Sequence, residues 1–161
     1  GPKGLELLKP LKLQELALAG TKVDDASLEH LKAMTTLQQL VLGSGVGDKG
    51  LESIKPLTAL TVLDLADAKV TDVGAAHLVP LTNLKRLILS GTQVSDAGLL
   101  LMKPLVNLEE LNLARTRITD AGLRHLRGLA KLRVLNLTGT DMRPAAVAQL
   151  KLAVPSCRVI Q

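Results

Sequence analysis

The chain has 161 residues, the length of one globular domain, and 47% of them are apolar although Phe, Tyr and Trp are all absent. Leucine alone supplies 37 residues, which excludes an intrinsically disordered chain, and the single cysteine excludes a disulfide scaffold. The net charge is +5, and no apolar run approaches the roughly 18 residues of a membrane-spanning helix. A single domain with an aliphatic core is therefore predicted.

The N-terminal residues precede the first complete repeat. Gly1-Pro2-Lys3 resembles what tag-cleaving proteases leave behind, so residues 1–3 are predicted to be a cloning remnant and tail. Residues 4–12 read as a half repeat that contains only a helix. Because no polar cap precedes them, we expect the natural protein to continue upstream.

Six strand-bearing repeats follow, each marked by the phrase Leu-x-x-Leu-x-Leu. The phrases begin 24, 23, 24, 24 and 24 residues apart, and the short step falls in the Gly43-Ser44-Gly45 loop. Their first residues are Leu13, Leu37, Leu60, Leu84, Leu108 and Leu132. Segment 154–161 closes the chain and reads as a helix end followed by an edge strand.

Each phrase alternates with a period of two, which predicts a short strand. In the fourth phrase Leu87 and Leu89 point into the core, whereas Arg86, Ile88 and Ser90 point to the opposite face. A single row of repeats would stack these strands into a parallel sheet with neighbour-only contacts.

A second phrase in each repeat predicts a short helix. Thr71, Ser95 and Thr119 are expected N-caps, and each is followed by an Asp in the first turn. In the last repeat the Asp position is Pro144, which is well tolerated at the start of a helix. The regular helices should end before Pro56, Pro80 and Pro104.

The combined pattern Leu-x-x-Leu-x-Leu-x-x-Thr-x-Val-Thr-Asp-Ala-Gly-Leu resembles the leucine-rich repeats of the ribonuclease-inhibitor-like superfamily. Its Thr-Asp-Ala-Gly-Leu half is similar to repeats of F-box proteins and of many bacterial proteins. The chain departs from the F-box subtype at one position that recurs after each leucine phrase and forms a ladder along the stack, where Cys or Asn is usual. Four repeats have threonine there, namely Thr21, Thr92, Thr116 and Thr140, and the exceptions are Ala68 and the shortened Gly45 loop.

The resemblance implies an α/β fold, a single leucine-rich repeat solenoid over residues 4–161. This is a right-handed β/α superhelix with a parallel sheet on its concave face and short helices on its convex face. The resemblance also implies protein recognition without catalysis, with no catalytic residue, cofactor or metal to carry over.

The strand residues that point away from the core form the candidate binding surface, because their side chains are not needed for core packing. Val41, Val62 and Ile88 should form an apolar patch bordered by charged residues, as a protein-binding site requires. The predicted partner-binding residues are Val41, Val62, Asp64, Asp67, Arg86, Ile88, Asn112 and Arg115. The alternative explanation is that β-branched residues simply favour strands.

Other functions stay open at this stage. The chain could be a structural spacer within a larger protein, or the substrate-recognition part of a ubiquitin-ligase adaptor or secreted bacterial effector. The uncapped N-terminal end allows a monomer or a weak homo-oligomer. The lone cysteine favours a reducing cytoplasm, although it does not exclude secretion.

Charge is uneven along the chain. Residues 1–80 carry 8 basic and 10 acidic residues, whereas residues 81–161 carry 12 and 5. The repeat register distributes the densest basic stretch over several surfaces, and no aromatic residue is present to stack on a base, which argues against nucleic acid. That stretch contains Arg115, Arg117, Arg124, Arg127, Lys131 and Arg133.

Two further ladders and the cysteine have simple structural readings. The aspartates Asp25, Asp48, Asp72, Asp96 and Asp120 are expected to favour helix N-termini rather than to bind Ca²⁺. The histidines His30, His77 and His125 lie two repeats apart, too far to share one zinc ion. Cys157 is expected to be a partly buried thiol rather than a nucleophile.

Overall fold

The computed structural model describes residues 2–161, which form seven short strands in one open parallel sheet, in the order of the sequence. The strands are β1 Glu15–Ala17, β2 Gln39–Val41, β3 Val62–Asp64, β4 Arg86–Ile88, β5 Glu110–Asn112, β6 Val134–Asn136 and β7 Arg158–Ile160. This architecture confirms the predicted leucine-rich repeat solenoid, and β7 is the edge strand expected in the closing segment.

The helices lie between consecutive strands and are short. The α-helices are α1 Pro2–Leu8, α2 Asp48–Glu52, α3 Asp72–Ala75, α4 Asp96–Leu101, α5 Asp120–Leu123 and α6 Pro144–Ala153. Segments of 3₁₀ helix occupy Ala26–Leu31, Ala76–Leu78 and Arg124–Leu126. Gly1 lies outside the described residues. None of the helices in the described part is long and apolar enough to cross a membrane.

The sheet has one buried side and one open side because its central residue alternates inward in every strand. Leu40, Leu63, Leu87 and Leu135 are fully buried. The remaining phrase leucines pack beneath them, and burial of each side chain contributes about 1.5–3 kcal/mol. The opposite side of the sheet, called the strand face below, carries the outer residues of each strand.

The threonine ladder closes the loop that follows each strand. In the fourth repeat the Thr92 hydroxyl donates to the Leu89 carbonyl at 2.7 Å, and Thr116 and Thr140 make the same bond to Leu113 and Leu137. Threonine therefore satisfies a carbonyl of its own loop, which explains how these repeats form without the more usual Cys or Asn at this position.

The helix N-caps lie where the sequence predicts them. The side chains of Thr71, Ser95 and Thr119 accept hydrogen bonds from the backbone N–H two residues later. Helix α6 begins at Pro144, as expected for proline at the first helical position.

The aspartate ladder links neighbouring repeats, a role that the sequence did not reveal. Asp48 Oδ1 accepts from the backbone N–H of Thr71 and Gly74 at 2.8 and 3.0 Å, and its Oδ2 accepts from the Thr71 hydroxyl at 2.7 Å. Asp72 makes the same set of contacts to Ser95 and Gly98. Each carboxylate thus binds the N-terminus of the next repeat's helix.

The first complete repeat departs from the others. Its helix is entirely 3₁₀, and its N-cap residue Asp25 makes no side-chain capping bond. The Asp25 carboxylate instead accepts from the Gly47 N–H of the next repeat at 2.6 Å. Asp24 compensates by accepting from both the backbone N–H and the hydroxyl of buried Ser27.

Candidate functional site

The strand face carries two exposed rows in exact register across the sheet. The first row is Glu15, Gln39, Val62, Arg86, Glu110, Val134 and Arg158, and the middle row is Ala17, Val41, Asp64, Ile88, Asn112, Asn136 and Ile160. The rows contain every predicted site residue except Asp67 and Arg115. Their spacing across the sheet is about 4.8 Å per strand.

The predicted apolar residues lie on neighbouring strands without forming an unbroken patch. Val41, Val62 and Ile88 are all half-buried on the strand face. Asp64 stands between Val41 and Ile88 in the middle row. A partner that contacts these three side chains would therefore also meet the Asp64 carboxylate, whose Oδ1 already accepts from the Ala66 N–H at 2.9 Å.

A shallow depression of about 130 Å³ lies over strands β4 to β7. Arg86, Ile88 and Asn112 of the predicted set line it. The other side chains that line it are Glu110, Val134, Asn136 and Ile160; the period-two alternation places the first three on the strand face, but none of the four was among the predicted binding residues. The alternation in the closing segment was the signal that could have placed Ile160 in the middle row.

Charge is partly neutralised on the first row. Arg86 Nε lies 3.3 Å from Glu110 Oε2, and both side chains are about half exposed. Gln39 Nε2 donates to Glu15 Oε1 at 2.7 Å in the N-terminal half. Such exposed pairs contribute little to stability, so their side chains can exchange these contacts for those of a partner.

Asp67 and Arg115 occupy a strained loop position above the strand face. Their φ angles are 57° and 56°, whereas glycine holds the equivalent position as Gly20, Gly91 and Gly139 with φ 71°. Left-handed backbone costs most non-glycine residues, Arg115 among them, about 1–2 kcal/mol, and it costs Asp67 less because a short polar side chain can bond locally. The two side chains meet above Gly91, with Arg115 Nη2 3.5 Å from Asp67 Oδ1. A β-carbon on Gly91 would lie 2.1 Å from that same oxygen.

The dense basic stretch is divided, as the repeat register predicted. Arg117 Nη2 donates to Gln93 Oε1 at 3.0 Å, and Lys131 Nζ donates to Asn107 Oδ1 at 2.7 Å. Arg124 lies in the last 3₁₀ segment, on the helix side of the molecule. The stretch therefore does not form a single cationic surface.

The histidines and the cysteine lie away from the strand face or inside the closing segment. His30, His77 and His125 are half-buried in the 3₁₀ segments. Burial lowers the pKa of His125, and the nearby Lys103 and Arg124 lower it further. Cys157 is buried, and burial raises the pKa of its thiol. Within residues 2–161 no three His, Cys, Asp or Glu side chains are grouped as metal ligands would be.

Comparison with known proteins is consistent with the fold. A family model of leucine-rich repeats in two copies matches residues 82–125, and a model of a single leucine-rich repeat matches residues 57–79. No curated protein sequence matched the chain. Taken with the seven-stranded sheet, these matches show leucine-rich repeats within residues 57–125 and the leucine-rich repeat fold throughout the described chain.

Solved structures of bacterial proteins share this fold. Internalin C2 from Listeria monocytogenes is 25% identical, with a TM-score of 0.76 over 94% of this chain and 64% of its own. An internalin F from the same organism is 18% identical, with a TM-score of 0.65 over 96% of this chain and 50% of its own. A leucine-rich repeat protein from Leptospira interrogans is 20% identical, with a TM-score of 0.75 over 96% and 38%. The chain thus spans less than two thirds of these structures.

Leucine-rich repeat domains generally mediate protein–protein interactions, because a stacked solenoid presents one extended surface.

Proposed function

We propose that the strand face binds a partner protein, without catalysis, through Val41, Val62, Asp64, Asp67, Arg86, Ile88, Asn112 and Arg115. The depression over β4 to β7 extends this surface to Val134, Asn136 and Ile160. Exposed aliphatic side chains bordered by charged groups are the composition that a protein interface needs.

Backbone strain at Asp67 and Arg115 is the observation that carries the proposal. Glycine fits this loop position in three other repeats, yet these two repeats hold charged residues there. Their mutual ion pair is exposed, with side chains 66% and 63% accessible, and contributes at most about 1 kcal/mol. Backbone strain that no local contact offsets is typical of functional positions.

The mechanism is the presentation of a preformed surface. The side chains of both rows project from strands that a continuous parallel sheet holds in register. Little conformational freedom is therefore lost when a partner docks, which favours binding.

The test is capture of proteins from a lysate of the source organism on three immobilised forms of the chain. The forms are the unchanged chain, the strand-face variant Arg86→Glu/Ile88→Asp, and the matched helix-side variant Arg127→Glu/Val73→Asp. Val73 and Arg127 are exposed and distant from the strand face. Circular dichroism confirms that each variant is folded.

We expect a protein retained by the unchanged chain and by the helix-side variant to be lost from the strand-face variant. Equal retention on the strand-face variant would show that binding occurs elsewhere. If none of the three forms retained a specific protein, the structural spacer would be favoured. The small residues directly after the first, third and fifth leucine phrases, Ala19, Ala66 and Ala114, are compatible with that role.

A further inference from the structure

Asn112 and Asn136 lie side by side at the bottom of the depression. They are register partners on β5 and β6, and both side chains line the depression. Each side-chain oxygen is already engaged by its own loop, since Asn112 Oδ1 accepts from the Ala114 N–H at 3.0 Å and Asn136 Oδ1 accepts from the Thr138 N–H at 2.9 Å. These bonds fix the orientation of both amides.

Because both amides have the same fixed orientation, their Nδ2 groups, which are hydrogen-bond donors, point in the same direction. An amide carries its NH₂ group opposite its oxygen, so both Nδ2 groups are turned away from the loops. Neither Nδ2 donates to any residue within 2–161. Two unpaired donors on neighbouring strands, which are about 4.8 Å apart, match the two oxygens of one carboxylate, whose lone pairs diverge from one another.

The surroundings favour an anion over a neutral acceptor. Arg86 and Arg158 flank the asparagines on the first row, and Glu110 is the one acid in that part of it. Glu110 is paired with Arg86. Arg158 lies beside them on β7 without an ion pair in the described residues, and residues 81–161 have seven more basic than acidic residues, so an incoming anion meets a net positive half of the chain.

The aliphatic side chains that line the depression indicate that an apolar group of the partner binds beside the anion. Ile88 and Ile160 flank the two asparagines in the middle row, and Val134 lies next to them in the first row. A carboxylate in this position would be surrounded by apolar side chains, which strengthens its hydrogen bonds to the amides.

We infer that the Asn112–Asn136 pair binds the side-chain carboxylate of an Asp or Glu in the partner, with an aliphatic neighbour of that residue on Ile88 and Ile160. The inference rests on the proposed function, because it specifies what the strand face recognises. The carboxylate accepts one hydrogen bond from each Nδ2, and both bonds are charge-assisted.

The chain itself supplies the variant that tests this inference. Asp64 occupies the same middle-row position as the asparagines, and its Oδ1 makes the same loop bond, to Ala66 N–H. The substitutions Asn112→Asp and Asn136→Asp should therefore keep the loop bonds and the fold while they replace the two donors by acceptors. The control Gln38→Glu/Gln149→Glu makes the same amide-to-acid change at exposed positions outside the depression.

The experiment selects binders from a displayed library of random linear peptides on the immobilised, unchanged chain. The affinities of the enriched peptides are then measured for the Asn112→Asp/Asn136→Asp variant, the glutamine control and Ile88→Asp. We expect enriched peptides to contain an acidic residue beside an aliphatic one. Their affinity should fall about 10-fold or more on the double asparagine variant, or when the peptide acid is changed to its amide, and stay within about 3-fold on the control.

Two kinds of result would overturn the inference, and only the second kind would also overturn the proposed function. Peptides that are lost on Ile88→Asp but need no acid, or that bind the double asparagine variant equally well, would disprove carboxylate recognition while the proposed function stands. Peptides insensitive to Ile88→Asp, or no enrichment at all, would overturn both.

Discussion

The contact between Asp48 and Gly74 allows a quantitative test of what holds the repeats together. Asp48→Ala removes three hydrogen bonds to Thr71 and Gly74, two of which satisfy N–H groups at the start of α3. A charged hydrogen bond contributes about 1.5–3 kcal/mol, but water can reach this half-exposed site after truncation. We therefore expect the free energy of unfolding to fall by about 2–4 kcal/mol.

The glycine is coupled to the aspartate by close contact. A β-carbon on Gly74 would lie 2.3 Å from Asp48 Oδ1 and 3.0 Å from Val70 Cγ1. Gly74→Ala should therefore cost about 1–3 kcal/mol in the unchanged chain. Beside Asp48→Ala the oxygen is gone and alanine is the better helix former, by about 0.5–1 kcal/mol, so the same change should be nearly neutral.

The measurement is a double-mutant cycle from urea unfolding. Far-UV circular dichroism is the suitable signal because the chain has no Trp or Tyr for fluorescence. A coupling free energy of about 1–3 kcal/mol between positions 48 and 74 is expected. If Gly74→Ala cost the same in both backgrounds, the glycine would not be there to make room for the carboxylate, and the inter-repeat role of the aspartate ladder would be refuted.

Three further changes test separate parts of the structure. Arg115→Gly relieves left-handed strain, so we expect urea unfolding to show a gain of about 0.5–1 kcal/mol; a loss would mean that the ion pair to Asp67 outweighs the strain. Cys157 is buried with a raised pKa, so a thiol reagent at pH 8 should label the folded chain at least about 10-fold more slowly than the urea-unfolded chain, and equal rates would contradict its burial. The pKa of His125 is lowered in the folded chain, so its contribution to stability is complete above about pH 6.5 and is lost as the pH falls below that value; His125→Gln should flatten the stability profile there, and an unchanged profile would show that other groups cause it.

Much of this fold could be predicted from the sequence because the same pattern of strand, cap and helix residues recurs in successive repeats. The alternation in Leu-x-x-Leu-x-Leu placed the strands and their buried faces, and Thr71, Ser95 and Thr119 placed the helix starts. The same reasoning could not distinguish α from 3₁₀ helix. The first repeat has a 3₁₀ helix although Asp25 bonds Gly47 of the next repeat much as Asp48 and Asp72 bond theirs, so the aspartate pattern carries no signal for this difference.

The candidate site was less accessible to sequence reasoning. The rows were predicted by period-two alternation, but the depression depends on which neighbouring side chains are large, and on β7 adding Ile160 beside Asn136. One sequence feature indicates the left-handed backbone at Asp67 and Arg115, namely the glycines at the equivalent positions of other repeats. The aspartates lie in the first turns of their own helices as predicted, but their additional bonds to the helix start of the next repeat depend on how the repeats stack, which the sequence did not show.

Isoleucine methyl resonances give the most direct test that the strand face is the binding surface. The chain has four isoleucines, of which Ile88 and Ile160 lie on the strand face and Ile54 and Ile118 are buried in the core. A sample labelled at the isoleucine methyls is titrated with the captured partner or a selected peptide. The account predicts that the Ile88 and Ile160 signals shift while those of Ile54 and Ile118 stay in place; shifts confined to Ile54 and Ile118, or a saturated complex with all four unchanged, would contradict it.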